Sequence, residues 1–170
     1  MKLYLVRKTV YLSLGSNIGD RVANLEAAID RLRSVGDVIG VSSFYETEPV
    51  EFTAQPWFLN CVVQLETEKM PKQLLAAMVR IEREMGRQRT RQKGPRLIDL
   101  DILLFGAAVI KTEGLMIPHP AMPERRFVLE PLAEIAPEVR HPVLKRTARE
   151  LLEALPPGQA VRKFRLEKNH

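Results

Sequence analysis

"GPRLIDLDILLFG", residues 94–106, sets two aspartates one residue apart inside an otherwise apolar run, with an arginine three residues before the first. Read as a β-strand over "LIDLDILLF", its side chains alternate between faces. Asp99 and Asp101 then project from one side, roughly 6–7 Å apart along the backbone, while Leu100 and Ile102 point the other way into a core. Two neighbouring carboxylates repel by a few kcal/mol at ~4 Å and an effective dielectric of about 20. Such a pair faces solvent on the polar side of a strand, pairs with arginines, or holds cations. Mg²⁺ suits the last case, since it takes oxygen ligands and keeps room for water and phosphate oxygens.

The residues just upstream favour an anionic ligand. Arg80, Arg83, Arg87, Arg89, Arg91, Lys93 and Arg96 against Glu82 and Glu84 carry a net +5, equal to the formal charge of all 170 residues. A solvated helix face running into a basic loop gives the same pattern, so a phosphate site needs other groups converging on it.

Further upstream, "TVYLSLGS" reads as a short strand broken by Gly15, Ser16, Asn17 and Gly19. Asp20 is placed to cap a helix whose apolar positions Val22, Leu25, Ile29 and Leu32 fall at helical spacing. Gly36 ends that helix. "DVIGVSSFYETEP" reads as a second strand, "VEFTAQPW" as a loop and "FLNCVVQLET" as a third strand. Pro71 suits the first turn of a second helix, with Leu74, Met78, Ile81 and Met85 as its buried stripe and Gly86 as its stop. "LIDLDILLF" is then the fourth strand. The order β-α-β-β-α-β predicts an α+β fold of ferredoxin-like plan, an antiparallel sheet with both helices on one face. Downstream, "AAVIK" reads as a further strand and "TARELLEAL" as a helix, and "PPG" at 156–158 precedes a basic, solvated tail.

Composition agrees with one folded domain over residues 1–170. The chain is 45% hydrophobic and 28% charged, with no repeat or low-complexity tract. Cys61, the lone cysteine, lies in an apolar stretch and reads as a buried inert thiol. That usage suits a reducing cytoplasm, and the longest apolar run, "ILLFGAAVI", is far too short to span a bilayer.

Two other stretches carry candidate chemistry. In "IPHPAMPERRFVLEPL" the two prolines hold His119 in a stiff turn, and Arg125 follows within six residues, an arrangement that can donate to phosphate. In "SSFYETEPVEFTAQPWFLN", Tyr45, Phe52, Trp57 and Phe58 gather aromatic surface around a loop, with the Asn60 amide just inside the next strand. Those groups suit a flat heterocycle, or they close one end of the core. No histidine and cysteine spacing resembles a zinc site.

Five blocks, "YLSLGSNIGDR", "SSFYETEPV", "QPWFLN", "GRQRTRQKGPRLIDLDILLFG" and "IPHPAMPERRFVLEPLAEIAP", resemble the 6-hydroxymethyl-7,8-dihydropterin pyrophosphokinase family in order, over about residues 10–144. The resemblance implies Mg²⁺-dependent transfer of diphosphate from ATP to the hydroxymethyl oxygen of the reduced pterin, releasing AMP, in folate biosynthesis. It implies two Mg²⁺ ions on Asp99 and Asp101, with Arg87 and Arg96 as catalytic arginines. It further implies ATP contacts at Arg87, Arg96, Ile102, His119 and Arg125. The pterin pocket falls on Thr47, Glu48, Val50, Phe58, Asn60 and Phe127, with Phe58 and Phe127 sandwiching the ring. The partners implied are small molecules, not nucleic acid or membrane, and the implied state is a cytoplasmic monomer. The chain departs from many members at Gln92 and Lys93, where Arg-Trp is common, and has Gly114 at a place that can carry arginine.

Two other classes fit parts of this pattern. A ferredoxin-like RNA-binding module would use the basic stretch, but its central strands would carry paired aromatics, not two acids. A regulatory ligand-binding domain would not need an intact acid pair beside a basic loop.

Overall fold

The computed structural model describes residues 6–49, 56–86 and 97–165. β1 (Lys8–Ser16) lies inside the sheet because its alternate side chains are needed on both faces. It is paired on one edge with β4 (Phe58–Thr67) and on the other with β5 (Asp99–Phe105). β2 (Asp37–Val41) and β3 (Tyr45–Thr47) share the far edge of β4, and β8 (Val161–Lys163) adds to β3. The order β5-β1-β4-β3-β8, with β2 also on β4, is that of the ferredoxin-like plan extended by one strand.

α1 (Arg21–Leu32) starts where the sequence signal places it, since the Asp20 side chain accepts the Ala23 N–H at 3.1 Å. α2 (Pro71–Glu84) starts on its proline and stops at Gly86, whose φ of +90° only glycine adopts without strain. Leu25, Ile29 and Leu32 from α1 and Leu74, Met78 and Ile81 from α2 bury against Leu12, Leu14, Cys61, Val63, Leu100 and Ile102 of the sheet. Burial pushes the Cys61 thiol far above its ordinary range, so it stays protonated.

The opposite face is not bare. α3 (Arg126–Ile135) and α4 (Ala148–Glu153) cover part of it, with Val128, Leu129, Leu132 and Leu151 packed on Tyr11, Val62, Leu103 and Leu104. The chain thus has helices on both sides of the sheet. α3 escaped the sequence reading because Pro131 sits inside it.

Three other expectations change. The single strand expected over "DVIGVSSFYETEP" is two, β2 and β3, because side-chain bonds join the backbone between them, where the Ser42 N–H still donates to the Val62 carbonyl at 2.9 Å. Ser42 Oγ accepts the Val62 N–H at 2.9 Å, and the Glu134 carboxylate on α3 accepts from the Ser43 N–H, the Ser43 hydroxyl and the Tyr45 hydroxyl. "AAVIK" contributes β6 (Ile110–Thr112), which pairs with β7 (Leu115–Ile117) in a separate small sheet. The tail is not merely solvated, since residues 161–163 form β8. Among the described residues no helix is long and apolar enough to cross a membrane.

Glu134 fastens α3 to the sheet, and this has a pH signature. Burial acts to raise its pKa, but the bonds from Tyr45 and Ser43 prevail and hold the carboxyl below its ordinary value of 4.5. A group depressed on folding contributes stability that is full above 4.5 and lost as pH falls through the folded value. Urea unfolding should therefore show the native chain losing more stability from about pH 5 to about pH 3 than Glu134→Gln does. Equal losses would mean that this carboxylate does not carry the acid sensitivity.

Candidate active site

The register of β1 assembles the site. Gly15 lies opposite Asp99 on one side and Asn60 on the other, and Tyr45 lies beyond Asn60. One row further along, Ser13 lies between Asp101 and Val62. Residues paired directly across antiparallel strands share a face, so both aspartates and Asn60 rise from the same floor as Thr47 and Phe58. With strands about 4.8 Å apart, the Asp99 and Asn60 backbones are separated by about 10 Å, with only glycine between them. As the alternation requires, Leu100 and Ile102 enter the core on the opposite face. The Ile102 side chain therefore points away from the acids, and its main chain is the part on the site's edge strand.

Gly15 is the residue whose role the sequence reading missed. It does not end the strand but sits within it, and a Cβ there would lie 2.7 Å from Asn60 Nδ2 and 3.6 Å from Phe58 Cδ1. The amide lies across the bare glycine while the Thr47 hydroxyl donates to Asn60 Oδ1 at 2.5 Å. In that arrangement Nδ2 lies over Gly15. A lone glycine inside an apolar strand is the sequence signal for such a close approach.

Asn17 and Arg21 set the entry into β4. Asn17 Nδ2 donates to the Pro56 carbonyl at 3.2 Å and Arg21 Nη1 to the Trp57 carbonyl at 3.1 Å. Phe58 then begins β4 on the site's face. The aromatic group expected around this loop separates: Tyr45 is tied to Glu134, and Trp57 stacks under Arg162, 5.0 Å from the guanidinium carbon to the ring centre.

His119 is brought to the acids by an irregularity in β5. The β1–β5 pairing shifts between Tyr11 and Leu12, which pair with Leu104 and Ile102 and leave Leu103 as the extra residue. Leu103 and Leu104 consequently both face α3, and the Leu103 carbonyl accepts the His119 N–H at 3.0 Å. His119 Nδ1 accepts the Ala121 N–H at 3.1 Å, so Nε2 carries the hydrogen of the neutral ring and stands 4.0 Å from Asp101 Oδ1. Burial first and the Arg125 charge second lower the imidazole pKa, against an upward pull from Asp99. Arg125 also lies over the Phe127 ring at 5.4 Å. The side chains of His119 and Asp101 are 21% and 40% exposed, so the acids open to solvent beside a more enclosed histidine.

The structure thus brings together Asp99, Asp101, His119 and Arg125 at one end of the floor, and Asn60, Thr47 and Phe58 at the other. Phe127 is joined to the first group through Arg125. Glu48 is tied to the C-terminal segment, its N–H donating to the Ala160 carbonyl at 3.1 Å. Val50, Arg87 and Arg96 lie outside the described residues, as do Phe52, Gln92 and Lys93. Among the described residues no three of His, Cys, Asp and Glu gather as a metal site. The acid pair would therefore leave most of a cation's coordination to water or to a bound anion, as suits Mg²⁺ in a phosphate site.

A carboxylate pair and a buried amide thus share one face of a ferredoxin-like sheet, an arrangement that suits binding of a small anionic ligand beside a flat one. The family model for 7,8-dihydro-6-hydroxymethylpterin-pyrophosphokinase matches residues 11–137, and the chain belongs to that family. It is 50% identical over 131 residues to the 2-amino-4-hydroxy-6-hydroxymethyldihydropteridine pyrophosphokinase of Bacillus subtilis, covering 76% of this chain and 78% of that one. Its identity to the Aquifex aeolicus protein of the same name is 41%, covering 84% and 89%. The Folic acid synthesis protein fol1 of Schizosaccharomyces pombe is 45% identical over 92% of this chain, but the match spans only 22% of that longer protein. Plasmodium falciparum HPPK-DHPS, solved with pterin and p-hydroxybenzoate, shares the fold at a TM-score of 0.72 and 20% identity, over 90% of this chain and 42% of that one.

Gly15→Ala tests the floor directly. The added methyl must displace the Asn60 amide, and overpacking of this kind costs about 1–3 kcal/mol. A crystal structure of the variant should show Asn60 turned away from Thr47. An unmoved amide would mean that the glycine has no such role.

Proposed function

We propose that the chain transfers diphosphate from ATP to the hydroxymethyl oxygen of 6-hydroxymethyl-7,8-dihydropterin, giving the pterin diphosphate and AMP, as a step of folate biosynthesis. The observation that supports this reading is the row Asp99–Gly15–Asn60, in which a carboxylate and an amide stand on one floor with only a glycine between them, as a phosphate end and a pterin end would require.

At the pterin end, Phe58 and Phe127 sandwich the ring, Asn60 hydrogen-bonds its edge with the amide set by Thr47, and Val50 and Glu48 border the pocket. At the other end, Asp99 and Asp101 would hold two Mg²⁺ ions, which would supply neutralisation of the triphosphate charge and of the charge that develops on the attacking and leaving oxygens. His119 Nε2–H and the Arg125 guanidinium donate to phosphate oxygens, joined by Arg87 and Arg96 from the basic loop and by the backbone of Ile102. The hydroxymethyl O–H loses its proton to solvent as its oxygen bonds to the β-phosphorus, the bond from that phosphorus to the oxygen bridging it to the α-phosphate breaks, and AMP leaves with that oxygen. Positioning and charge neutralisation account for such a transfer, so no protein nucleophile is required.

Incubation with ATP, magnesium and the dihydropterin should yield AMP in step with pterin diphosphate. ADP as the nucleotide product, or no pterin-dependent turnover, would refute the reaction. Asp99→Ala and Asp101→Ala should each lower kcat on the order of a thousandfold or more while thermal unfolding stays near that of the native chain. Full activity in both variants would reject the metal assignment.

A further inference from the structure

The segment after "PPG" lies beyond residues 11–137, yet it is tied to the strand that carries Thr47. β3 has three residues, and β8 pairs with all of them: Tyr45 with Lys163, Glu46 with Arg162 and Thr47 with Val161. The ladder continues at both ends, where the Glu48 N–H donates to the Ala160 carbonyl at 3.1 Å and the Phe164 N–H to the Phe44 carbonyl at 2.7 Å. The Gln159 amide also donates to the Glu48 carbonyl. A three-residue strand left at a sheet edge would fray, and pairing on its second side makes it an interior strand.

Side chains extend the tie to the loop before Phe58. Arg162 Nη2 lies 3.4 Å from Glu46 Oε1 while its guanidinium covers the Trp57 ring. Arg21 Nη1 reaches the other Glu46 oxygen at 3.1 Å and the Trp57 carbonyl at 3.1 Å, and Arg21 stacks over Phe164 at 5.7 Å. Glu46 therefore stands between two arginines, one from the first helix and one from the last strand, each also engaging Trp57.

We propose that the C-terminal segment Gln159–Arg165 is a positioning element for the pterin half of the site, with Arg162 as the residue that couples it to both β3 and the Trp57–Phe58 entry. The inference rests on the pterin reading of that half. By contrast Asp99 and Asp101 lie on β5, at the far side of the sheet from β8, so the nucleotide half is expected to be indifferent to Arg162.

Trp57 is the only tryptophan in the 170 residues, so its fluorescence reports this contact without any turnover. In the full chain, Arg162→Ala should shift Trp57 emission to longer wavelength and speed exchange of the Glu48 amide. It should raise KM for the dihydropterin about tenfold while KM for ATP and kcat stay within about twofold, the pattern of lost substrate positioning without lost chemistry. Arg162→Lys keeps the charge but not the planar stack, and should fall between the two. Unchanged emission and exchange in Arg162→Ala, or equal rises in both KM values, would overturn the proposal. If the native chain itself shows no pterin-dependent AMP release, the reaction fails first, and the emission and exchange shifts still decide whether β8 braces β3.

Discussion

The pairing of β1 between β4 and β5 is the constraint on which the rest depends. It sets Gly15 opposite both Asp99 and Asn60, so the two ends of the site are fixed by backbone hydrogen bonds and not by loops. A slip of one residue in β5 would turn both carboxylates into the apolar layer under α1 and α2 and would bring Leu100 and Ile102 out. The apolar burial of those two residues is therefore also what holds the acids in position. Desolvating either aspartate would cost far more than any alternative register returns.

The two faces of the sheet divide the labour. One is apolar over most of its area and closes on α1 and α2. The other is apolar where α3 and α4 lie on it and polar beyond them, and the polar part is the site. This division also bears on the RNA-binding alternative, because such modules read bases on an open sheet face. Here part of that face is covered by helices and part carries the two acids. The bulge at Leu103 connects the two regions: it turns an extra leucine toward α3 and presents the carbonyl that holds His119 beside Asp101.

Much of this was legible in the chain because local signals and tertiary demands agreed. The Asp20 cap, the Pro71 start, the Gly86 stop and the strand "FLNCVVQLET" all stand where periodicity and turn chemistry put them. The alternation of "DLDILLF" correctly separated the acids from the core up to Ile102, and the bulge after it has no sequence marker. What was not legible depends on partners distant in sequence. Ser42 breaks a strand because it can reach the Val62 N–H, and residues 161–163 become a strand because β3 offers an open edge. Gly15 reads as a strand breaker until the Asn60 amide is seen above it. α3 was masked by its own proline, although Val128, Leu129 and Leu132 held a helical stripe.

In the proposed function Asp99 and Asp101 hold divalent ions against a nucleotide's phosphates while Asn60 holds the pterin on the same floor. Diffraction from crystals grown with Mn²⁺, a non-hydrolysable ATP analogue and the dihydropterin tests it most directly, because manganese is located by its anomalous signal. The account predicts manganese peaks bonded to Asp99 and Asp101 and to the phosphate chain, with the pterin edge on Asn60 beyond Gly15. Manganese and phosphates bound away from the two aspartates, or a pterin bound off that floor, would contradict it.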